Sequence, residues 1–272
     1  MNGLVNGVAS AVLDAHDRGL HYGDGVFETL AVADGRARYF QRHMRRLELG
    51  CRRLGFPAPG RRVVEAEIGR LCESSKRSVV KLIVTRGTGE RGYAPPAQPR
   101  PSRVLLRYPW PAYDEAEAQA GVAVRCCTTR LGLNEALAGI KHLNRLEQVL
   151  ARSEWTDPDT REGLMFDSDG FVIEGVHSNV FLVSGGRLRT PRLDRCGVAG
   201  IVRERVLEIA AKEGLDTECC RLLHGDLVGA DEIFLTSTVT GIVPVARVDA
   251  RQFTVGEITL RLRGLLAEDT GE

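Results

Sequence analysis

Lysine is what this chain lacks among its charged residues. Of 37 basic side chains only Lys76, Lys81, Lys141 and Lys212 are lysines; the other 33 are arginines. Arginine can replace lysine as a surface cation, but only lysine offers an amine that loses its proton and condenses with a carbonyl. A surplus of charge of one sign is also missing. The net charge is +1, which gives no electrostatic case for nucleic acid or a membrane surface as partner. Cysteine occurs seven times, an odd number, with no Cys-x-x-Cys. That excludes a disulfide framework and the paired-cysteine pattern of a zinc site. It reads as reduced thiols packed in strands of a cytoplasmic protein, with no metal expected. No apolar run approaches the length of a transmembrane helix. The opening Met1-Asn2-Gly3-Leu4-Val5-Asn6-Gly7 has no basic region before an apolar one, so no signal peptide is expected. Repeats and low-complexity tracts are absent.

What is present is a chain of 272 residues, 43% hydrophobic and 27% charged, enough for two modest domains with real cores. A hairpin is expected over residues 4–6 and 8–13 across Asn6-Gly7. The glycine-broken stretch Asp17-Arg18-Gly19-Leu20-His21-Tyr22-Gly23-Asp24-Gly25 reads as either a pocket wall or a surface turn. A strand from Val26 to Val32 turns at Asp34-Gly35 into another from Arg38 to Phe40. Helices follow over 41–54, with Met44, Leu47 and Leu54 inward and arginines outward, and over 61–73. Strands from Ser78 to Thr85 and from Arg103 to Tyr108 complete a first domain, residues 1–110. Residues 111–120 read as an interdomain connection.

The second domain, 121–272, opens with a strand from Val122 to Thr128 and a helix over 144–155 with Leu146, Val149 and Leu150 at helical spacing. Two hairpins follow, across Asp169-Gly170 and Gly185-Gly186. After them come helix 200–213, strand 216–221, a short helix from Leu223 to Val228, strands 232–236 and 242–248, and helix 256–267, with a frayed end over 268–272. Antiparallel hairpins with segregated helices make the fold class α+β in two domains. Gly87-Thr88-Gly89-Glu90-Arg91-Gly92 matches Gly-x-Gly-x-x-Gly letter for letter. Pro95, Pro96, Pro99 and Pro101 follow it, however, and forbid the helix whose N-terminal amides a dinucleotide needs.

Lys76 lies in a polar turn, Lys81 reads as the outward residue of a strand, and Lys212 suits the C-terminal end of a helix dipole. Lys141 instead follows Ala138-Gly139-Ile140 and precedes a helix, either as a solvated helix-entry cation or as a reactive amine. Glu174 ends a strand beside Gly175-Val176-His177-Ser178-Asn179. Gly200-Ile201-Val202 opens a helix whose exposed amides suit a phosphate. Thr236-Ser237-Thr238-Val239-Thr240 adds hydroxyls at a strand end. Each has an ordinary reading as a turn residue or cap. Together with an amine they are the parts that hold pyridoxal phosphate.

Gly139-Ile-Lys-His-Leu-Asn-Arg-Leu-Glu-Gln148, Glu174-Gly-x-x-Ser-Asn-x-Phe181, Gly200-Ile-x-Arg203 and Thr236-Ser-Thr-x-x-x-Ile-x-Pro244 resemble the fold-type-IV pyridoxal phosphate enzymes. So do His21-Tyr-Gly-Asp-Gly-Val-Phe-Glu28 and His43-Met-Arg-Arg-Leu47, so that the resemblance covers nearly the whole chain. That family includes branched-chain aminotransferases, D-amino-acid transaminases and 4-amino-4-deoxychorismate lyases. Arg86-Gly-x-Gly-x-Arg91-Gly-Tyr93 and the Lys141 segment are most similar to the lyases.

The resemblance implies a D-amino-acid-aminotransferase-like fold with the active site between the domains, a homodimer, and Lys141 as Schiff-base and acid–base lysine. It implies Glu174 against the pyridine nitrogen and Arg46, Ser178, Asn179, Ile201, Val202 and Thr238 around the cofactor. Tyr22, Phe27 and Arg91 are implied at the substrate, Tyr22 reaching the partner's site. The implied reaction is loss of pyruvate from aminodeoxychorismate to give 4-aminobenzoate on the folate route. An aminotransferase on the same scaffold is the alternative, and a non-catalytic ligand-binding relative a third reading. His177 departs from the small residue often found at its position.

Overall fold

A computed structural model describes residues 2–9, 12–111 and 119–269. Most of the connection expected over 111–120, and part of the end expected over 268–272, lies outside them. The chain divides into two compact units. One takes in Met1–Pro111 and Ile140–Asn144, the other Ala112–Gly139 and Arg145–Thr270.

The first unit contains β1 (Gly3–Val5), α1 (Arg18–Tyr22), β2 (Gly25–Ala33), β3 (Arg36–Ala37), α2 (Phe40–Leu54), α3 (Arg61–Cys72), β4 (Arg77–Thr85) and β5 (Ser102–Pro109). Its antiparallel sheet runs in the order β1-β5-β4-β2-β3. Side chains alternate across a strand, so Ser78, Val80, Leu82 and Val84 of β4 are all buried. With Leu4, Val26, Leu30, Met44, Leu47, Ile68 and Leu105 the three apolar ones form the core.

Three expectations change here. Asn6 and Gly7 make the expected turn, with positive φ of 50° and 84°, and Val5 and Val8 bridge across it, but β1 takes β5 as its partner strand, Leu4 paired with Leu105, and residues 10 and 11 of the expected second arm lie outside the described residues. Glycines were expected to break residues 17–25, yet α1 forms there. The buried Asp17 carboxylate caps it, accepting from the Gly19 amide at 2.8 Å and from the Thr85 hydroxyl at 2.9 Å. Strand β3 ends before Arg38, because Tyr39 turns with φ 56° into α2.

The second unit contains β6 (Val122–Leu131), α4 (Leu146–Arg152), β7 (Thr160–Asp167), β8 (Val172–Gly175), β9 (Asn179–Ser184), β10 (Arg187–Pro191), α5 (Ile201–Lys212), β11 (Thr217–Cys220), α6 (His224–Val228), β12 (Glu232–Ser237), β13 (Gly241–Val248), β14 (Arg251–Gln252) and α7 (Glu257–Glu268). The sheet order is β11-β10-β9-β12-β13-β6-β7-β8, with β14 on β13. Both expected hairpins form, β7–β8 and β9–β10. Strand β6 runs parallel to β7 and β13, and β10 to β11, so the fold is α+β with two mixed-layer units. Phe181 and Phe234 stack between β9 and β12 with centroids 4.9 Å apart.

Helix α4 turns its leucine-bearing stripe outward. Gln148 and Ala151, one turn apart, point inward, while Leu146, Val149 and Leu150 are 70%, 58% and 54% exposed. Packing of Ala151 and Trp155 against Cys127, Leu131 and Met165 fixes the rotation. Cysteines are less confined to strands than expected, since Cys51 and Cys72 lie in helices and Cys196 in a loop; all seven are free. Among the described residues no helix is long and apolar enough to cross a membrane.

Candidate active site

In the first unit, β2 carries Glu28 on the same face as Val26 and Leu30, and Glu28 is 1% exposed. A buried carboxylate must be paired. Helix α2 supplies the partners from positions three apart, which share a helix face. Arg46 donates Nε to Oε1 at 2.8 Å and Nη2 to Oε2 at 2.5 Å, and His43 Nδ1 lies 2.6 Å from Oε2. Burial drives the Glu28 carboxyl upward, but the Arg46 charge and hydrogen bonds, with His43, outweigh it and hold it at about 2. Burial also lowers the pKa of His43, against the pull of Glu28. A neutral His43 therefore donates Nδ1–H to the carboxylate. Among the arginines expected to face outward on α2, Arg46 is thus turned in.

Phe27, on the opposite face of β2, pairs its backbone with the Lys141 segment. Its amide donates to the Lys141 carbonyl at 2.9 Å, and the Leu143 amide donates to the Gly25 carbonyl at 3.0 Å. The Lys141 amine stands 4.6 Å from the Phe27 ring centroid, and the Lys81 amine 5.1 Å from it. Two of the chain's four lysines therefore flank one aromatic ring. Lys81, read as a plain outward residue, was missed.

The loop bearing Arg91 is tied down by side chains that the sequence reading passed over. Arg18, 4% exposed, donates to the carbonyls of Gly92, Tyr93 and Ala94 and to Asp24. Asp24 also receives Arg86 at 2.7 Å. Burial raises the Asp24 carboxyl, but the two guanidiniums outweigh it and keep it below the usual range. Tyr22 accepts from the Gly92 amide at 3.2 Å, and its ring lies 5.3 Å from that of Tyr93. Arg91 itself is exposed. Tyr22 and Arg91 thus share one anchored loop assembly.

In the second unit Glu174, 4% exposed at the end of β8, accepts from the Val198 amide at 2.8 Å and from Asn179 at 3.5 Å. Asn179 also donates to the Val198 carbonyl at 2.9 Å, which locks its amide. Residue 198 is set by Gly139 and its neighbours, since the Gly139 amide donates to Gly197 and its carbonyl accepts from Ala199.

Helix α5 begins at Gly200 with no side-chain cap among the described residues, and Ile201 and Val202 are buried. A Cβ at Gly200 would stand 2.0 Å from the Asn179 oxygen, so only glycine lets this helix start so close. Thr236, 2% exposed, has a buried hydroxyl with no protein hydrogen-bond partner. Uncapped amides and an orphaned hydroxyl fit a phosphate. Thr238 is half-buried in the turn after β12, where the Ser237 and Thr240 hydroxyls bond each other at 2.7 Å.

Ser178, expected at the cofactor, lies in the turn between β8 and β9. Its hydroxyl donates to Glu162 at 2.8 Å, and Glu162 also accepts from the amides of Gly163, Val176 and His177. His177 Nδ1 lies 3.0 Å from the same carboxylate. Glu162, 2% exposed, therefore organises the turn between Glu174 and Asn179. Sequence reasoning missed it, because Glu162 stands beside Thr160 and Arg161 at the polar start of β7 and reads as a solvated strand end.

The model of the family described as amino-transferase class IV matches residues 25–248. The chain belongs to that family. This class IV aminotransferase chain is 33% identical over 266 residues to the aminodeoxychorismate lyase of Vibrio harveyi, covering 96% of this chain and 98% of that one. Its fold matches the crystal structure of 4-amino-4-deoxychorismate lyase from Pseudomonas aeruginosa with a TM-score of 0.94 and 48% identity, covering 98% of each chain. It also matches the branched-chain aminotransferase of Escherichia coli, with a TM-score of 0.87 at 26% identity over 97% of this chain and 94% of that one. The class IV scaffold thus serves both chemistries, and residues beyond the shared cofactor set must separate them.

Proposed function

We propose that the chain is a pyridoxal-phosphate-dependent 4-amino-4-deoxychorismate lyase that releases pyruvate and leaves 4-aminobenzoate. The observation that carries this reading is the 48% identity to the Pseudomonas aeruginosa lyase, far above the 26% to the aminotransferase. The bound cofactor supplies an electron sink for the pair left when a C–H bond beside the substrate amine breaks.

Lys141 would hold the cofactor, and its amine is the base that would take the proton from C4 of the substrate. The enolpyruvyl ether then leaves from C3, and aromatisation of the ring drives the loss. Glu174, its carboxylate oriented by Val198 and Asn179, would keep a proton on the pyridine nitrogen. The amides of Ile201 and Val202 and the Thr238 and Thr236 hydroxyls would hold the phosphate, and Arg46 is the arginine that the family motif assigns to it. Ser178 acts through Glu162 as a positioning residue. Phe27 walls the amine, and Tyr22 with Arg91 receives substrate carboxylate.

The working form is a homodimer, which the exposed apolar face of Leu146, Val149 and Leu150 supports. Free thiols throughout suit the cytoplasm. The test is incubation with aminodeoxychorismate, and separately with amino-acid/keto-acid pairs, following 4-aminobenzoate, pyruvate and new keto acid. Release of 4-aminobenzoate and pyruvate in equal amounts is expected. Amino transfer without 4-aminobenzoate would make the chain an aminotransferase. Neither reaction, with Lys141 and Glu174 intact, would make it a ligand-binding relative.

A further inference from the structure

We propose that Cys126, His224 and Asp249 form a zinc(II) site in the second unit. Their ligand atoms all lie within 4.8 Å of one another. Atoms bound tetrahedrally to one zinc, at about 2.3 Å for sulfur and 2.0–2.2 Å for nitrogen and oxygen, are roughly 3.3–3.8 Å apart. The trio therefore needs to close by about 1.5 Å at most.

Three separate segments deliver the ligands. Cys126 lies where the register of β6 against β7 shifts. His224 is the first residue of α6, its ring 6.3 Å from Phe166. Asp249 follows β13, in the two-residue turn that leads into β14. That turn is already set for a ligand. Asp249 has φ 49°, its amide donates to the Val124 carbonyl at 3.0 Å, and its Oδ1 accepts from the Cys126 amide at 3.1 Å. The bond to the Cys126 amide keeps the carboxylate beside that residue.

The donor set selects the metal. Sulfur and imidazole exclude calcium and magnesium, which take oxygen ligands. Thiolate and carboxylate together neutralise a dication, while Arg130 is the neighbouring cation, 4.9 Å from the Phe166 ring centroid. On binding, the Cys126 thiol loses its proton to buffer and the sulfur lone pair bonds the ion. His224 and Asp249 give one lone pair each, and water fills the fourth position. His224 and Asp249 are exposed, so the ion enters from solvent. None of the three belongs to the cofactor or substrate set. The role is to lock β6, α6 and the β13–β14 turn together, which stabilises the native state because the unfolded chain lacks the site.

The test strips the cofactor-loaded protein with a chelator, then titrates zinc against a chromophoric competitor. One zinc per chain is expected, with at least tenfold weaker binding in Cys126→Ser, His224→Ala and Asp249→Asn. The asparagine variant retains the left-handed backbone that residue 249 needs. Cobalt(II) should give a thiolate charge-transfer band in difference spectra that Cys126→Ser lacks. Zinc should raise the melting temperature of the wild type and leave that of Asp249→Asn unmoved. Binding that survives all three substitutions, or no binding at one equivalent, overturns the site.

Discussion

The Arg46 guanidinium closes on the Glu28 carboxylate through two hydrogen bonds, at 2.8 and 2.5 Å, inside the core face of β2. The pair orients the arginine proposed to meet the cofactor's phosphate. Glu28→Gln leaves Arg46 without its countercharge. Removing one partner of a buried pair costs about 3–5 kcal/mol. The expected outcome is that loss in urea unfolding, with weaker retention of pyridoxal phosphate on dialysis. An unchanged unfolding midpoint with full cofactor content would show that the pair positions nothing.

The same carboxylate sets an acid limit. Glu28 is held at about 2, below its ordinary 4.5. As pH falls the unfolded chain takes up this proton first, so the stability is fully present above 4.5 and is lost between 4.5 and about 2. His43, lowered by burial from 6.5, adds a loss that starts as pH drops through that value. Urea midpoints measured from about pH 7 down to about pH 3.5 should fall steadily for the wild type. The gap between wild type and Glu28→Gln should narrow below pH 4.5. A gap that widens on acidification would contradict the assignment.

Glu174→Gln should fold normally, because an amide oxygen can still accept from the Val198 amide. A neutral side chain cannot keep the pyridine nitrogen protonated. Turnover should drop by roughly 100-fold or more, the scale of a lost proton-handling group, with cofactor content unchanged. Turnover equal to wild type would remove Glu174 from this role.

Arg91 and Arg18 separate binding from positioning. Arg91→Ala loses a charge-assisted bond to substrate carboxylate, typically ~1.5–3 kcal/mol, or roughly 10- to 150-fold in kcat/KM, chiefly through KM. Thermal stability should hold, since Arg91 is exposed. Arg18→Ala removes the bonds to Gly92, Tyr93 and Ala94, so it should raise KM and also speed proteolysis of the loop. Wild-type KM in Arg91→Ala would take the arginine out of the site. Unchanged loop proteolysis in Arg18→Ala would end the clamp.

Borohydride reduction of the loaded protein, followed by peptide mapping, should fix the cofactor to Lys141. Lys81 is the informative rival, because its amine flanks the same Phe27 ring. Label on Lys81 in the wild type would reassign the reactive lysine.

Scarcity of lysine among so many arginines marks four residues and needs no geometry, but the sequence set Lys141 apart from the other three only through its apolar setting before a helix and the family motif around it. It also set most strands, the hairpin turns and the glycine-opened helix α5, since side-chain period and positive-φ residues act locally. Long-range partners were out of its reach. Periodicity marks that Leu146, Val149 and Leu150 share a stripe, but packing of Ala151 and Trp155 decided that the stripe faces out. A glutamate in an apolar strand signals a buried charge, yet only the approach of α2 to β2 names Arg46 and His43 as its partners. Ser178 and Glu162, or Cys126, His224 and Asp249, meet because β-sheet register and turns bring distant segments side by side. Such pairings depend on the summed packing of many residues, which no local stretch of sequence encodes.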